Sequence, residues 1–216
     1  MSVVGFYLDV VHALDEIKAP YMLVGAFAAS TFGLRRATFD VDILVDLDEH
    51  HFGALAARFP LPRYYADPVQ MRDSTRLGIM FNIIDTEQGA KADLVPLLRE
   101  PRYRRAFARR VRRVFQDESG AQFEAWCARP EDIILGKLKA WSEGHSAKHP
   151  ADIRELLVFA ASGLGDEPID LDYITSQVVA SGASATDLWT QLQEQAKIDA
   201  QAYNGRTRAN ESEPHA

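Results

Sequence analysis

Thr38-Phe39-Asp40-Val41-Asp42-Ile43-Leu44-Val45-Asp46 is the stretch that decides the fold. Its apolar and polar residues alternate with a period of two, which predicts a β-strand. Successive side chains of a strand point to opposite faces, so Asp40 and Asp42 project close together from one face. Neighbouring carboxylates repel each other, and a Mg²⁺ or Mn²⁺ ion bound to their oxygens relieves that repulsion. The alternative is the polar face of an edge strand in water.

The composition is that of an ordinary globular protein. The 216 residues are 47% hydrophobic and 25% charged, which suits one domain, or a core domain with a small second one. The net charge of −7 gives no general attraction for nucleic acid, so such contact requires a local basic patch. The single cysteine, Cys127, rules out an intrachain disulfide and favours a reducing, cytoplasmic location. No apolar run approaches the roughly 18 residues of a membrane span, and the first residues lack the basic region of a signal peptide.

Hydrophobic periodicity predicts strands and helices up to about residue 127 and helices alone after it. In the first part we expect helices over 3–17, 26–32 and 49–58, the last capped by Asp48. Strands are expected over 21–24, 77–84 and 91–97, with a proline-rich loop through residues 60–68 and a hairpin formed by 111–115 and 122–127. In the second part Pro130 opens a helix, a break covers 144–149, and helices follow over 150–161, 170–177 and 184–200.

These elements predict an α+β fold, in which a mixed β-sheet core with flanking helices is followed by a C-terminal helical bundle. The expected boundaries are 1–128 for the core, 129–203 for the helical domain and 204–216 for a disordered tail. The tail is polar and shows no periodic pattern.

Two further features lie near the opening stretch in the predicted fold. Gly25 stands at a strand-to-helix turn, where a missing side chain lets a phosphate approach the backbone and the helix N-terminus. A purely steric role for this glycine is the alternative. Asp93 lies on a second strand, and with Asp40 and Asp42 it makes three carboxylates from two strands, as in a two-metal site. The alternative for Asp93 is a simple ion pair with Lys91, which lies on the same face.

Four segments together resemble the minimal nucleotidyltransferases of the DNA polymerase β-like superfamily. They are Val24-Gly25-Ala26-Phe27-Ala28, Arg36-Ala37-Thr38-Phe39-Asp40-Val41-Asp42-Ile43, Lys91-Ala92-Asp93-Leu94 and the segment from Glu131 to Ala140. Within the superfamily the chain looks like the AbiEii/MenT-type and related uncharacterised nucleotidyltransferases, many of them toxins of toxin–antitoxin pairs. The resemblance covers about residues 20 to 160. It implies a nucleotidyltransferase core at 1–128.

The resemblance also implies a role for each matching residue. Gly25, Ala26 and the start of the next helix hold the nucleoside triphosphate, and Lys137 reaches the phosphates from the helical domain. Arg36 and Thr38 bind phosphate or shape the loop. The remaining implied residues are the metal ligands Asp40, Asp42 and Asp93, the last of which also helps to activate the acceptor. For Lys137 the alternative is an exposed helix lysine.

The sequence departs from the family at two places. Relatives usually carry Gly or Ser where Ala26 stands, which weakens the expectation of phosphate binding there. Relatives also tend to have an Asp where His149 stands, between the matching Lys148 and Asp152. His149 is either an acid or base near neutral pH or a solvent-facing residue before Pro150.

The stretch from 99 to 113 is the best candidate for contact with nucleic acid. It holds eight arginines and one glutamate, with Tyr103 and Phe107 interleaved, so phosphate contact and stacking can combine. The alternatives are a solvated basic surface and a surface for an acidic partner protein. The candidate RNA contacts are Arg102, Arg104, Arg105 and Arg109.

The leading hypothesis is therefore an enzyme that uses Mg²⁺ or Mn²⁺ to transfer an NMP from an NTP to an acceptor hydroxyl and releases pyrophosphate. The acceptor is an RNA such as tRNA, a protein or a small molecule, and an antitoxin protein is the expected partner if the chain is a toxin. The second hypothesis is a catalytically weak nucleotide-binding or regulatory partner protein with the same fold. A third is a metal-dependent nuclease or phosphatase that uses the same acids.

Overall fold

The computed structural model describes residues 3–35, 40–99, 101–116, 120, 122–165 and 168–211. These residues form two compact units. The sheet unit comprises Met1–Thr31 and Ala37–Arg129, and the helical unit comprises Phe32–Arg36 and Pro130–Ala216. The helical unit therefore takes a short segment from the N-terminal part of the chain.

Seven strands make up the sheet in the part of the chain that the structure describes. They are β1 (Tyr21–Val24), β2 (Asp40–Val45), β3 (Tyr64–Tyr65), β4 (Phe81–Asp85), β5 (Ala90–Pro96), β6 (Val111–Gln116) and β7 (Gln122–Cys127). Their order in the sheet is β3-β4-β5-β2-β1-β7-β6. The β2–β5 and β1–β7 pairs are parallel and the other pairs are antiparallel, so the predicted mixed sheet is confirmed.

Five α-helices belong to the sheet unit as described. They are α1 (Val3–Glu16), α2 (Gly25–Ala29), α3 (Glu49–Arg58), α4 (Pro68–Leu77) and α5 (Pro101–Ala108), and a 3₁₀ turn, Ser30–Phe32, follows α2. Helix α3 begins as predicted, because the Asp48 carboxylate accepts the His50 and His51 N–H groups, at 3.0 and 3.3 Å.

The buried face of the sheet is apolar and packs on α1. Val41, Ile43 and Val45 alternate with the acids of β2 and are fully buried. On the same face the Tyr21 hydroxyl donates to Asp15 of α1 at 3.0 Å, which fixes the helix on this side. The polar residues of β2 consequently project from the opposite face.

The helical unit contains the predicted C-terminal helices. They are α6 (Pro130–Gly144), α7 (Lys148–Ala161), α8 (Leu171–Val178) and α9 (Ala183–Glu211). Their core includes Ile134, Leu138, Leu156 and Trp189, all at most 1% exposed. The α+β prediction, with flanking helices and a C-terminal helical part, is confirmed. None of the described helices is long and apolar enough to cross a membrane.

The segment Phe32–Arg36 is attached to α7 by specific contacts. Gly33 has φ +93°, and a Cβ there would overlap the Phe159 ring, so only glycine fits. The Arg35 N–H donates to a Glu155 carboxylate oxygen at 2.9 Å. A tight turn and one hydrogen bond thus hold this segment on the helical unit.

Helices α4 and α9 and strand β4 are among the elements that differ from the sequence-based expectation. Helix α4 occupies the end of the expected proline-rich loop, because Asp67 caps it and Pro68 stands at its first turn, where proline is tolerated. The strand expected over 77–84 begins only at Phe81, after Gly78 has ended α4 in a left-handed conformation. Helix α9 continues to Glu211, through the first eight residues of the expected disordered tail; residues 212–216 lie outside the described part.

Candidate active site

The register of the sheet brings two of the predicted acids side by side. In the parallel β2–β5 pair Asp42 is the partner of Asp93, and Asp40 is the partner of Lys91. In the antiparallel β1–β2 pair Val24 is the partner of Asp42, and in the antiparallel β4–β5 pair Asn82 is the partner of Asp93. Paired residues project from the same face, so Asp42, Asp93 and Asn82 form a continuous polar row, called the acidic row below.

Gly25 is required by the Asp42 side chain. The glycine directly follows β1 and has φ +68°, and a Cβ on it would overlap the Oδ2 atom of Asp42. The helix that it opens, α2, has five residues, and Ala26 in its first turn is buried. The steric alternative for Gly25 is therefore present in the structure, while phosphate binding by Gly25 and Ala26 stays a prediction.

Asp93 is the most enclosed acid of the row. Its side chain is 8% exposed, and the Lys91 Nζ donates to both carboxylate oxygens, at 2.8 and 2.7 Å. The Asn82 Nδ2 donates to the Oδ1 atom at 2.5 Å. Hydrogen bonding to Asp93 raises the pKa of Lys91, and the charges of Asp40 and Asp42 add to this rise. The Lys91 ammonium thus provides positive charge beside all three predicted metal ligands.

The negative charge of the acids also affects the hydroxyl group of Tyr7, which lies on α1 in the interior of the sheet unit. The residue is 1% exposed, and its hydroxyl has no hydrogen-bond partner within the described residues. Burial, and then the charges of Asp40 and Asp93, raise the pKa of Tyr7 to about 12.

The three carboxylates do not form a closed ligand set as they stand. Among the described residues no group of three or more His, Cys, Asp and Glu side chains is arranged to hold a metal ion. Asp40, at the exposed start of β2, lies two residues before Asp42, and Asp93 is engaged by Lys91. The register therefore supports a pair, Asp42 and Asp93, and the three-ligand metal site stays a prediction.

Lys137 is not the exposed helix lysine of the alternative interpretation. In the helical unit its side chain is 7% exposed, and its Nζ lies 2.6 Å from the Oδ2 atom of Asp152 on α7. A buried ammonium needs such a partner, because removing either charge from water is costly. The structure thus gives Asp152 a clear role as the counter-ion of Lys137.

Lys148 and His149 are the first two residues of α7. Lys148 is exposed, whereas His149 is partly buried, with its Nδ1 atom enclosed. His149 is therefore not simply solvent-facing, because α7 begins two residues earlier than expected and takes it into its first turn.

The predicted RNA contacts lie in and just after α5. Arg104 and Arg105 are exposed, and Arg109 is partly exposed after the helix ends. The side chain of Arg102, and all of Arg36 and Thr38, lie outside the part of the chain that is described. Contact of these arginines with RNA stays a prediction.

One member of the site, Asn82, was missed from the sequence. Asn82 interrupts the apolar run of β4, and a single amide in such a strand was a usable signal for a polar neighbour on the next strand.

Comparisons with known proteins leave the family open. No family model matches the sequence, and no curated protein matches it. Among solved structures, a solution structure of the antibiotic-resistance factor ANT(2'')-Ia has 16% identity and a TM-score of 0.43, with 96% of this chain and 94% of that chain covered. Its crystal structure with adenylyl-2''-tobramycin has 16% identity and a TM-score of 0.42, with 89% and 97% covered. An antigenic nucleotidyltransferase-like protein from Paracoccidioides brasiliensis has 14% identity and a TM-score of 0.46, with 84% and 88% covered.

Proposed function

We propose that the protein is a metal-dependent nucleotidyltransferase that moves an NMP from an NTP to an acceptor hydroxyl. The observation that carries the proposal is the register of β2 and β5, which makes Asp42 and Asp93 neighbours on one face, with Asp40 on the same strand face. Gly25 adds support, because its missing side chain lets the Asp42 carboxylate lie directly against the turn at which α2 begins. The motif resemblance to minimal nucleotidyltransferases points to the same chemistry.

The donor chemistry of the acidic row fits Mg²⁺ or Mn²⁺. Carboxylate and amide oxygens are the ligands that these hard cations prefer. Lys91 pairs with Asp93 at 2.7 Å, and a bound metal would add positive charge beside Asp40 and Asp42. Asp40, Asp42 and Asp93 would hold the metal, which when bound supplies positive charge against the charge of the phosphate oxygens.

The proposed reaction is an in-line displacement at the α-phosphorus of the NTP. The acceptor hydroxyl oxygen forms a bond to that phosphorus, the bond to the bridging oxygen breaks, and pyrophosphate leaves. Asp93 would take the proton of the attacking hydroxyl, and Asn82 would hold the orientation of its carboxylate. Gly25, Ala26 and Thr38 are the residues of the sheet unit that we propose for the triphosphate.

The proposed acceptor is an RNA such as tRNA, a protein or a small molecule. The exposed arginines Arg104 and Arg105 favour RNA, because a local basic surface on an acidic protein attracts phosphates selectively. A toxin role with an antitoxin partner rests on the motif resemblance. Growth arrest on expression, relieved by Asp42→Asn, is the expected result for a toxin, whereas equal growth of both strains would contradict it.

A transfer assay tests the enzyme itself. The protein is incubated with each α-³²P-labelled NTP, Mg²⁺ or Mn²⁺ and total RNA, and labelled RNA or labelled protein is measured. We expect label transfer with the wild type and at least a hundredfold less with Asp42→Asn. Asp46→Asn is the matched control, because Asp46 is an exposed acid just after the same strand. Equal labelling by Asp42→Asn and Asp46→Asn would exclude the proposed site.

The second candidate function is nucleotide binding without transfer. Lys91 is the observation that favours it, since its ammonium already engages both oxygens of Asp93. This candidate predicts NTP binding by calorimetry that does not require a metal, together with no transfer of label to any acceptor. Metal-dependent labelling would exclude it.

A further inference from the structure

Arg110, which follows α5, has an unusual environment for a charged side chain. Its guanidinium carbon lies 4.2 Å from the Phe107 ring centroid and 4.8 Å from that of Trp126. The Nη1 atom donates to the Phe107 carbonyl oxygen at 2.8 Å. The Nε atom is buried and has no hydrogen-bond partner among the described residues. One donor of a stacked, partly buried cation is therefore unused.

No carboxylate forms an ion pair with Arg110 within the described part of the chain. Burial consequently lowers the pKa of its guanidinium, with only Tyr21 acting in the opposite direction. Arg112 also lies over the Trp126 ring, at 5.4 Å, and its contacts with Asp15 and Glu124 are long, at 3.5 and 3.6 Å. The group formed by Phe107, Arg110, Arg112 and Trp126, called the Arg110 cluster below, thus carries an excess of positive charge.

Trp126 of the Arg110 cluster lies on the sheet face of the acidic row, whereas Arg112 also reaches Asp15 of α1, which packs on the other face. Leu23 and Cys127 are partners in the β1–β7 pair, so the preceding residue, Trp126, projects from the opposite face, which is that of Val24 and Asp42. Strand β7 is two strands away from β2 in the sheet, or about 10 Å. This separation is short enough for a chain-like acceptor of a few units to reach both the acids and the cluster.

We propose that the Arg110 cluster binds a phosphodiester group of a single-stranded polynucleotide. The Nη atoms form one edge of the guanidinium and keep N–H donors beyond the one that binds the Phe107 carbonyl oxygen. Such an edge matches a phosphate, whose oxygens accept two parallel N–H bonds. Aromatic rings with interleaved arginines are also what single strands use for stacking and charge neutralisation. The proposal rests on the proposed function only in taking this strand as the acceptor.

Binding is measured without NTP and without metal, so the result is independent of the transfer reaction. The probe is a fluorescein-labelled 12-nucleotide oligo(U) RNA, and its anisotropy is followed between 50 and 200 mM salt. The variant is Arg110→Met, which keeps the length of the side chain. The matched control is Arg76→Met, since Arg76 is an exposed arginine of α4 that pairs with nearby Asp73. Arg112→Met provides a second test if Arg110→Met does not fold.

We expect Arg110→Met to weaken oligo(U) binding at least tenfold and to lower the slope of log affinity against log salt by about one, the value for one lost phosphate contact. Arg76→Met should change the affinity less than twofold. Equal effects of the two variants would overturn the proposal, because they would indicate only general charge. An unchanged oligo(U) affinity of Arg110→Met together with a reduced Tm would also overturn it, because that result would indicate a purely structural arginine. Displacement of oligo(U) by poly-glutamate at equal charge concentration would instead identify an acidic protein surface and would also overturn it.

Discussion

Lys91→Met should increase the affinity of the protein for a divalent cation. The Lys91 ammonium contacts both oxygens of Asp93, at 2.8 and 2.7 Å, so a metal that binds Asp93 must first displace it. Methionine keeps the length of the side chain and removes the competing charge. The Asn82 amide still holds the carboxylate in place, because its hydrogen bond does not involve Lys91.

The size of the gain follows from how exposed the pair is. The Lys91 side chain is 46% exposed, so water screens its interaction with Asp93 and the pair is worth about 1 kcal/mol, the upper end for exposed pairs. Since 1.4 kcal/mol corresponds to a tenfold change, the Kd for the metal should fall about fivefold.

Calorimetric titration with Mn²⁺ measures this change directly and does not depend on turnover. Lys139→Met is the matched control, because Lys139 pairs with Glu143 at 2.8 Å in the helical unit. We expect an unchanged Kd for that variant. Adding Asp93→Asn to Lys91→Met should remove the gain. An Mn²⁺ Kd that is unchanged or higher in Lys91→Met would refute the idea that Asp93 is a metal ligand for which Lys91 competes.

Three further predictions concern single positions. Gly25→Ala should lower stability by roughly 1–3 kcal/mol and weaken Mn²⁺ binding, because the backbone at this position has φ +68° and the new Cβ would overlap Asp42. Thermal unfolding measures the stability and calorimetry measures Mn²⁺ binding. A variant equal to the wild type in both would contradict the close approach of Gly25 and Asp42. Lys137→Met should lower stability by about 3–5 kcal/mol, because Asp152 stays buried without the Lys137 ammonium. Lys137→Met combined with Asp152→Leu should recover most of the loss in urea unfolding, and an equally unstable double variant would argue against the pair. Cys127 should stay unreactive toward a disulfide reagent at pH 8 in the folded protein, since burial raises the pKa of its thiol to about 12; rapid labelling without urea would contradict this.

The sequence was sufficient to predict the strand that carries the acids and the fact that Asp40 and Asp42 share one of its faces. Alternation in β2 predicts that Asp40 and Asp42 share a face, since period two is a property of the single chain. The pairing of Asp42 with Asp93 could not be predicted, because the register between strands depends on the packing of the whole sheet. The row containing Asn82 depends on the same register and was missed for that reason.

Local signals and tertiary contacts also explain the differences in the helices. The start of α4 was signalled by Asp67 and Pro68, but the nearby prolines made the segment look like a loop. The burial of Lys137 could not be predicted, because it depends on a partner fifteen residues away on another helix. A lysine on an amphipathic helix is ordinarily exposed, and only the Asp152 carboxylate makes its burial tolerable.

The segment Phe32–Arg36 has a consequence for how the protein folds and how it can be divided. Gly33 and Phe159 are far apart in sequence, so the helical unit closes only after the chain has been synthesised past α7. A fragment that starts at Pro130 would lack the turn that fills the space beside Phe159 and the amide that bonds to Glu155. The two units therefore cannot be separated by one cut of the chain, since the helical unit takes residues from both sides of the strand that carries Asp40 and Asp42.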